Sequence, residues 1–354
     1  MTAYFLGLVT SMNYTYFPPN NGYPPSNTPV YPPLPQNSSN YLELENQKRG
    51  LRKLSITAGF CVLGFIALQF AVDYFLNFVG LSDAFTNNTL FQNSFGAVIS
   101  VICVFLPFFF VTLFMGSKKR GEVLLFGKPF STGLMLLAVP IGFLFCMVGN
   151  YATSALISLM DSVGVTLTAP PMTAPATGLG MVMFVVQIAF FPALIEEFAL
   201  RGVVMQPLRK YGDRFAIIMS SLIFALMHGN MVQAPFAFIA GITIGYLVIA
   251  TGSLWTGVLI HFANNLFSSL ITLASDANSK AVETPYAVIM TVTFVAGLAC
   301  CMIFAFNSNR YKLLKPEYPM RVRTRLAAYI FTVPMVLALI AILYLTSQYI
   351  KFGG

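Results

Sequence analysis

Charge is scarce in this chain: Asp, Glu, Lys and Arg make up 9% of its 354 residues, against about 25% in an ordinary soluble domain. So few charges cannot cover the surface of a water-exposed globule. A soluble domain is excluded, and the surplus apolar surface must face lipid. The five cysteines, Cys61, Cys103, Cys146, Cys300 and Cys301, all sit in apolar runs and form neither a CxxC pair nor a metal-ligand spacing. They exclude a disulfide framework and read as small core residues. A glycine-rich phosphate loop and a nucleotide fingerprint are missing as well. The net charge of +8 comes from basic residues beside apolar runs. It therefore implies an anionic bilayer surface as partner, and no nucleic acid.

What is present divides the chain. Residues 1–47 carry eight of the 21 prolines, interleaved with Tyr, Asn and Ser. Such a segment lacks the apolar content to offset the entropy of ordering, and a disordered tail is expected. The opening run Tyr4–Val9 is too short for a signal-peptide core and no basic residue precedes it. Nine apolar stretches follow, near 54–79, 95–116, 130–158, 179–205, 215–233, 235–251, 255–274, 286–306 and 326–349. Each is expected to be long enough for a bilayer core of about 30 Å at about 1.5 Å per helical residue, the sixth being the shortest. The expected fold is an all-α, polytopic transmembrane helix bundle of about nine spans. It divides into N-terminal spans (48–178), a core (179–275) and C-terminal spans (276–354). Gly241 and Gly245, four apart, permit close helix packing, and Thr251-Gly252-Ser253 reads as a turn.

With nine spans, every lysine and arginine except Lys280 and Lys351 falls on one side of the membrane. The positive-inside rule then puts the N-terminus in the cytoplasm and the C-terminus outside, with the plasma membrane as the expected location.

Ionisable groups inside spans are costly, so each is a candidate for function. The fourth stretch holds Glu196, Glu197 and Arg201. Glu197 and Arg201 are four apart, share a helix face and can pair. Glu196 is turned about 100° away and is left to face a cavity as a general base. Both histidines of the chain fall within spans, His228 in the fifth and His261 in the seventh. Phe224 lies one turn before His228, and Asn265 one turn after His261 on the same face. Asn264 reads as a neighbour turned aside. Counted from the cytoplasmic span ends, Glu196, His228, His261 and Asn265 lie on the order of 10–20 Å deep, so one cavity can collect them. A carboxylate and an imidazole there can activate water, while a second imidazole and a carboxamide stabilise an oxyanion. A zinc held by His228, His261 and Glu196 stays open as an alternative, although no HExxH pattern occurs.

Three runs now stand in order on successive stretches: Glu196-Glu197-Phe198-Ala199-Leu200-Arg201, Phe224-Ala225-Leu226-Met227-His228 and His261-Phe262-Ala263-Asn264-Asn265. They resemble the EExxxR, FxxxH and HxxxN motifs of the CAAX-protease and bacteriocin-processing (Abi) family, which includes the type 2 CAAX prenyl endopeptidases. The resemblance covers about 179–275. It implies an intramembrane endopeptidase acting on a membrane-associated or lipidated protein or peptide, with Glu196 activating water. His228 and His261 would hold that water or a metal, Asn265 would stabilise the oxyanion, and Glu197 and Arg201 would support them. The family has been described both as metalloproteases and as metal-independent glutamate proteases. Two other classes remain open: a proton-coupled transporter using the same residues, for which no inverted repeat is visible, and a non-catalytic immunity or binding protein.

Overall fold

The computed structural model describes residues 36–170, 173–306, 312–316 and 320–352, apart from the side chains of 36–40 and 276–282. Most of the expected tail lies outside the described residues. Its last residues are already helical, because helix α1 runs Gln36–Phe78 and so begins well before the apolar run it carries. After it come α2 (Thr89–Leu113), α3 (Thr132–Ser162) and α4 (Gly178–Tyr211). The shorter α5 (Asp213–Met227) leads to α6 (Ala234–Thr251).

Leu254–Phe306 is helical throughout but doubles back. Phe267 stacks on Tyr286 with ring centroids 6.0 Å apart, whereas 19 residues of straight helix would separate them by about 28 Å. Its two limbs are α7 (Leu254–Ser275) and α8 (Glu283–Phe306), and both pack on α3. Helices α9 (Val322–Ile330) and α10 (Val333–Ser347) meet at a 77° bend. The only sheet among the described residues is a two-stranded antiparallel ribbon, β1 (Val165–Leu167) with β2 (Ile350–Phe352), in the register Val165↔Phe352.

Among the described residues, seven helices are long and apolar enough to cross a membrane, and the bent α9–α10 pair makes up to eight. The outer surface agrees with that reading. Phe70, Leu136, Val182, Ile340 and Leu343 are each more than half exposed, an arrangement that water penalises and lipid does not. The difference from nine is α5. Its 15 residues reach about 22 Å, short of the hydrocarbon core. The chain turns at Gly229 (φ 65°), where Asn230 donates to His228 O at 2.9 Å and to Gln233 Oε1 at 2.8 Å and accepts from Gln233 N at 2.9 Å. The sequence marks that turn with His228-Gly229-Asn230 and Gln233 before Pro235, a signal that the apolar stretch 215–233 runs over. The expected span 215–233 is therefore a helix ending at Met227, followed by a side-chain-locked turn. Asp213 at the start of α5 and Ala250 near the end of α6 line one small pocket with Arg209 and Lys312, so the α5–α6 hairpin starts and finishes at the same end of the bundle.

Among the described residues, three segments of wide, π-type helix occur: Val101–Phe105, Val186–Phe190 and Glu197–Met205. Each ends two residues before a proline, namely Pro107, Pro192 and Pro207. A proline has no N–H to give and its ring crowds the carbonyl four residues back, so the turn before it opens. Two of the three segments lie in α4, the helix that carries both glutamates.

Tight contacts fix the bundle around α4. The expected close approach of α6 is present. A Cβ on Gly241 would sit 2.9 Å from Ser221 Cβ, and one on Gly245 would sit 3.3 Å from Met205 Sδ. Gly252 closes α6 in the left-handed region at φ 70°, as the expected turn requires. At the basic end, buried Asp213 accepts from Arg209 Nε and from Leu314 N, both at 2.8 Å, pinning the 312–316 segment to the start of α5.

Candidate active site

The core of the site is a buried ion pair. Glu197 and Arg201 side chains are both fully buried, with Oε1 and Nη1 3.0 Å apart, although the angle is not that of a hydrogen bond. Arg201 also donates through Nη2 to Gly241 O at 3.4 Å and lies 4.5 Å over the ring of Phe224. A single partner thus neutralises the guanidinium, while a carbonyl and an aromatic face absorb the rest of its field. Phe224 is the hub of this packing. Its ring also stands edge-on to His228 at 5.0 Å and to His261 at 5.8 Å.

Glu197 sets the direction of His261. Its Oε1 is 3.0 Å from His261 Nδ1, and a carboxylate can only accept, so the proton sits on Nδ1. Nε2 then faces Glu196, 3.8 Å from Oε2. That gap is long for a direct hydrogen bond and short enough for one water to touch both atoms. Glu197 Oε2 finds no hydrogen-bond partner among the described residues. It lies against Gly257, where a Cβ would come within 2.6 Å. Gly257 is thus the residue whose missing side chain lets α7 close on the carboxylate.

His228 is fixed by its own helix. Its Nδ1 donates to Phe224 O at 2.9 Å, which leaves Nε2 for whatever enters the cavity. Asn265 is held at both ends. Nδ2 donates to Ile188 O at 3.0 Å, and Oδ1 accepts from Asn264 Nδ2 at 3.1 Å. The Ile188 carbonyl is available because its partner four residues on would be Pro192. The second N–H of Asn265 remains for a ligand.

Glu196, His228, His261 and Asn265 all line one cavity of about 550 Å³, together with Gln187, Asn264 and Ser268. Glu197 and Arg201 stand behind that wall. The structure therefore brings the four sequence candidates to a common space, with the ion pair as backing. It also corrects the reading of Asn264, which lines the cavity and orients Asn265. One i,i+4 pair defines too narrow a stripe, because the polar residues of α7 that line the cavity run from His261 through Asn264, Asn265 and Ser268 to Thr272. That recurrence of small and polar residues every three or four positions was the available signal for Ser268 and Thr272. Gln187 gave none, being a single amide in an apolar run. Among the described residues, no three His, Cys, Asp or Glu side chains form a group that could hold a metal ion. His228, His261 and Glu196 do not stand as a three-ligand zinc set in this arrangement.

A helical membrane protein with a carboxylate and imidazoles around an internal cavity is the class that fold and site define. Within it, the family model described as type II CAAX prenyl endopeptidase Rce1-like matches residues 178–267. The matched stretch is the one that holds the three motifs resembling the CAAX-protease family. No curated protein and no solved structure matches the chain.

Proposed function

We propose that the chain is an intramembrane endopeptidase that cleaves a peptide bond in a membrane-associated protein or peptide, with a prenylated CAAX-type C-terminus as the first substrate to try. The observation that carries this reading is the 3.8 Å gap between Glu196 Oε2 and His261 Nε2, at the wall of a cavity inside the bundle. A water in that gap gives a proton to Glu196 as its oxygen attacks the scissile carbonyl carbon. The resulting oxyanion is met by the free N–H of Asn265, and His228 adds a second donor through Nε2 only when its ring carries a proton on both nitrogens, since Nδ1 already donates to Phe224 O. The C–N bond then breaks, and Glu196 returns the proton to the leaving amine. Glu197 acts through His261, fixing its tautomer, and Arg201 neutralises Glu197. No step is routed through a metal.

Most of the basic residues rim one end of the bundle: those at the start of α1, just after α2 and at the end of α4, with Lys312 and Arg325 beside Arg209 and Tyr211. With that end in the cytoplasm, the N-terminus is cytoplasmic and the C-terminus lies across the membrane.

The test is proteolysis of a prenylated CAAX-type peptide in liposomes, with the unprenylated peptide alongside. Glu196→Gln should lower the rate by about 10²-fold or more while leaving the protein folded. Equal cleavage by the variant and the parent would remove Glu196 as the base. Peptide binding without cleavage by the parent would favour the non-catalytic reading.

A further inference from the structure

A second pocket lies further along α4 than the cavity, beside Val203–Leu208 rather than Gln187–Glu196. It has a volume of about 270 Å³ and is walled by Ala58 and Cys61 of α1, Phe108 of α2, and Val204 and Leu208 of α4. That volume is near the lower end for small-molecule sites and suits a slender chain better than a bulky ring system. Lys119, Lys210 and Glu122 also line it, giving one net positive charge. Burial holds the Lys119 ammonium below its ordinary pKa, with Glu122 opposing, so an anion beside it would be favoured.

Two further lining residues, Gln206 and Tyr329, are 9% and 1% exposed. Gln206 Nε2 and Tyr329 Oη are buried without a hydrogen-bond partner among the described residues. The Gln206 amide cannot simply be turned round, because its Oε1 accepts from Arg209 Nη1 at 3.1 Å. Buried donors left idle in an apolar wall are costly, and both ask for an acceptor.

We propose that this pocket binds a single-chain anionic lipid: a fatty acid whose chain fills the apolar depth and whose carboxylate accepts from the idle donors. The single net charge of the ionisable lining favours a monoanion over a phosphate. The wall belongs partly to the wide segment Glu197–Met205, so an occupant braces the stretch of α4 that carries Glu197 and Arg201. The proposal does not depend on the peptidase reading.

The experiment uses the full chain in phosphatidylcholine nanodiscs with a palmitic acid bearing a diazirine near its chain end, and maps the photolabelled peptides by mass spectrometry. Label should concentrate on the peptides containing Leu54–Cys61 and Val203–Leu208, and unlabelled palmitate should compete it away. Ala58→Phe obstructs the depth. The pair Gln206→Leu with Tyr329→Phe keeps the volume and removes both donors. Labelling should fall about tenfold in each, the scale of a hydrogen bond to a charged group. Label spread evenly over the lipid-facing helices, or unchanged in the volume-preserving pair, overturns the site. Hexadecanol competing as well as palmitate overturns the carboxylate, and lysophosphatidate competing better overturns the monoanion.

Discussion

Replacing Glu197 by glutamine tests the buried ion pair without changing its shape. Arg201 then keeps its charge with the Phe224 ring at 4.5 Å and Gly241 O at 3.4 Å, but no counter-charge. Breaking a buried pair costs about 3–5 kcal/mol. The desolvated cation–π contact, about 2 kcal/mol, survives the change and places the expected loss at the lower end, about 3 kcal/mol. Adding Arg201→Met removes the stranded charge. The carboxamide oxygen introduced by Glu197→Gln can still accept from His261 Nδ1, so the double variant should return to within about 1.5 kcal/mol of the parent. Arg201→Met alone strands Glu197 and should cost about 3 kcal/mol as well, so the coupling between the two changes should be about 4–5 kcal/mol and favourable. The chain has one tryptophan, Trp255, at the start of α7, with Nε1 donating to Phe126 O at 2.9 Å. Its fluorescence during denaturant titration in detergent micelles reports the opening of the α7 contact. A single variant as stable as the parent, or a double variant showing the plain sum of two losses, would refute the view that Glu197 is present to neutralise Arg201.

Other changes follow from measured contacts. Gly257→Ala sets a methyl 2.6 Å from Glu197 Oε2 and 2.9 Å from Val248 Cγ2. Destabilisation of about 1–3 kcal/mol is expected, together with a larger loss of activity than of stability, read by comparing rate with unfolding midpoint. Asn265→Leu removes the donor to Ile188 O and should lower kcat more than it raises KM, whereas a purely structural role would leave kcat intact. Gly59→Leu drives a side chain into the backbone of Pro334 and Met335, where even a Cβ would lie 2.6 Å from Met335 N. It should loosen α1 from α10, seen as faster hydrogen exchange in both. Because no three-ligand group stands at the site among the described residues, EDTA should leave the proteolysis rate within about twofold. A loss that added zinc restores would show that His228 moves to join Glu196 and His261.

Much of the fold could be read from the chain, because lipid demands long uninterrupted apolar runs and these leave a plain mark. The Glu197–Arg201 pair followed from a spacing of four on one helix. The end of α5 was legible in His228-Gly229-Asn230 and Gln233, and drawing one stretch over 215–233 passed across it. The wide turns were within reach: Pro107, Pro192 and Pro207 each mark one, and Pro192 explains why Ile188 O is open to Asn265. The Glu197–His261 contact links residues 64 apart and no local pattern encodes it. The second pocket is less legible still, because its walls come from helices far apart in sequence and its meaning lies in two donors that lack partners.

The Glu197–Arg201 pairing also bears on how the protein reaches its membrane. An arginine deep in a span opposes insertion by about 2.5–3.5 kcal/mol when alone. Here its counter-ion sits one turn earlier on the same helix, 3.0 Å away, so α4 can carry the two charges across the translocon as a nearly neutral unit before any neighbouring helix arrives. A glutamate supplied by a different span would have left the arginine exposed to lipid until assembly was complete.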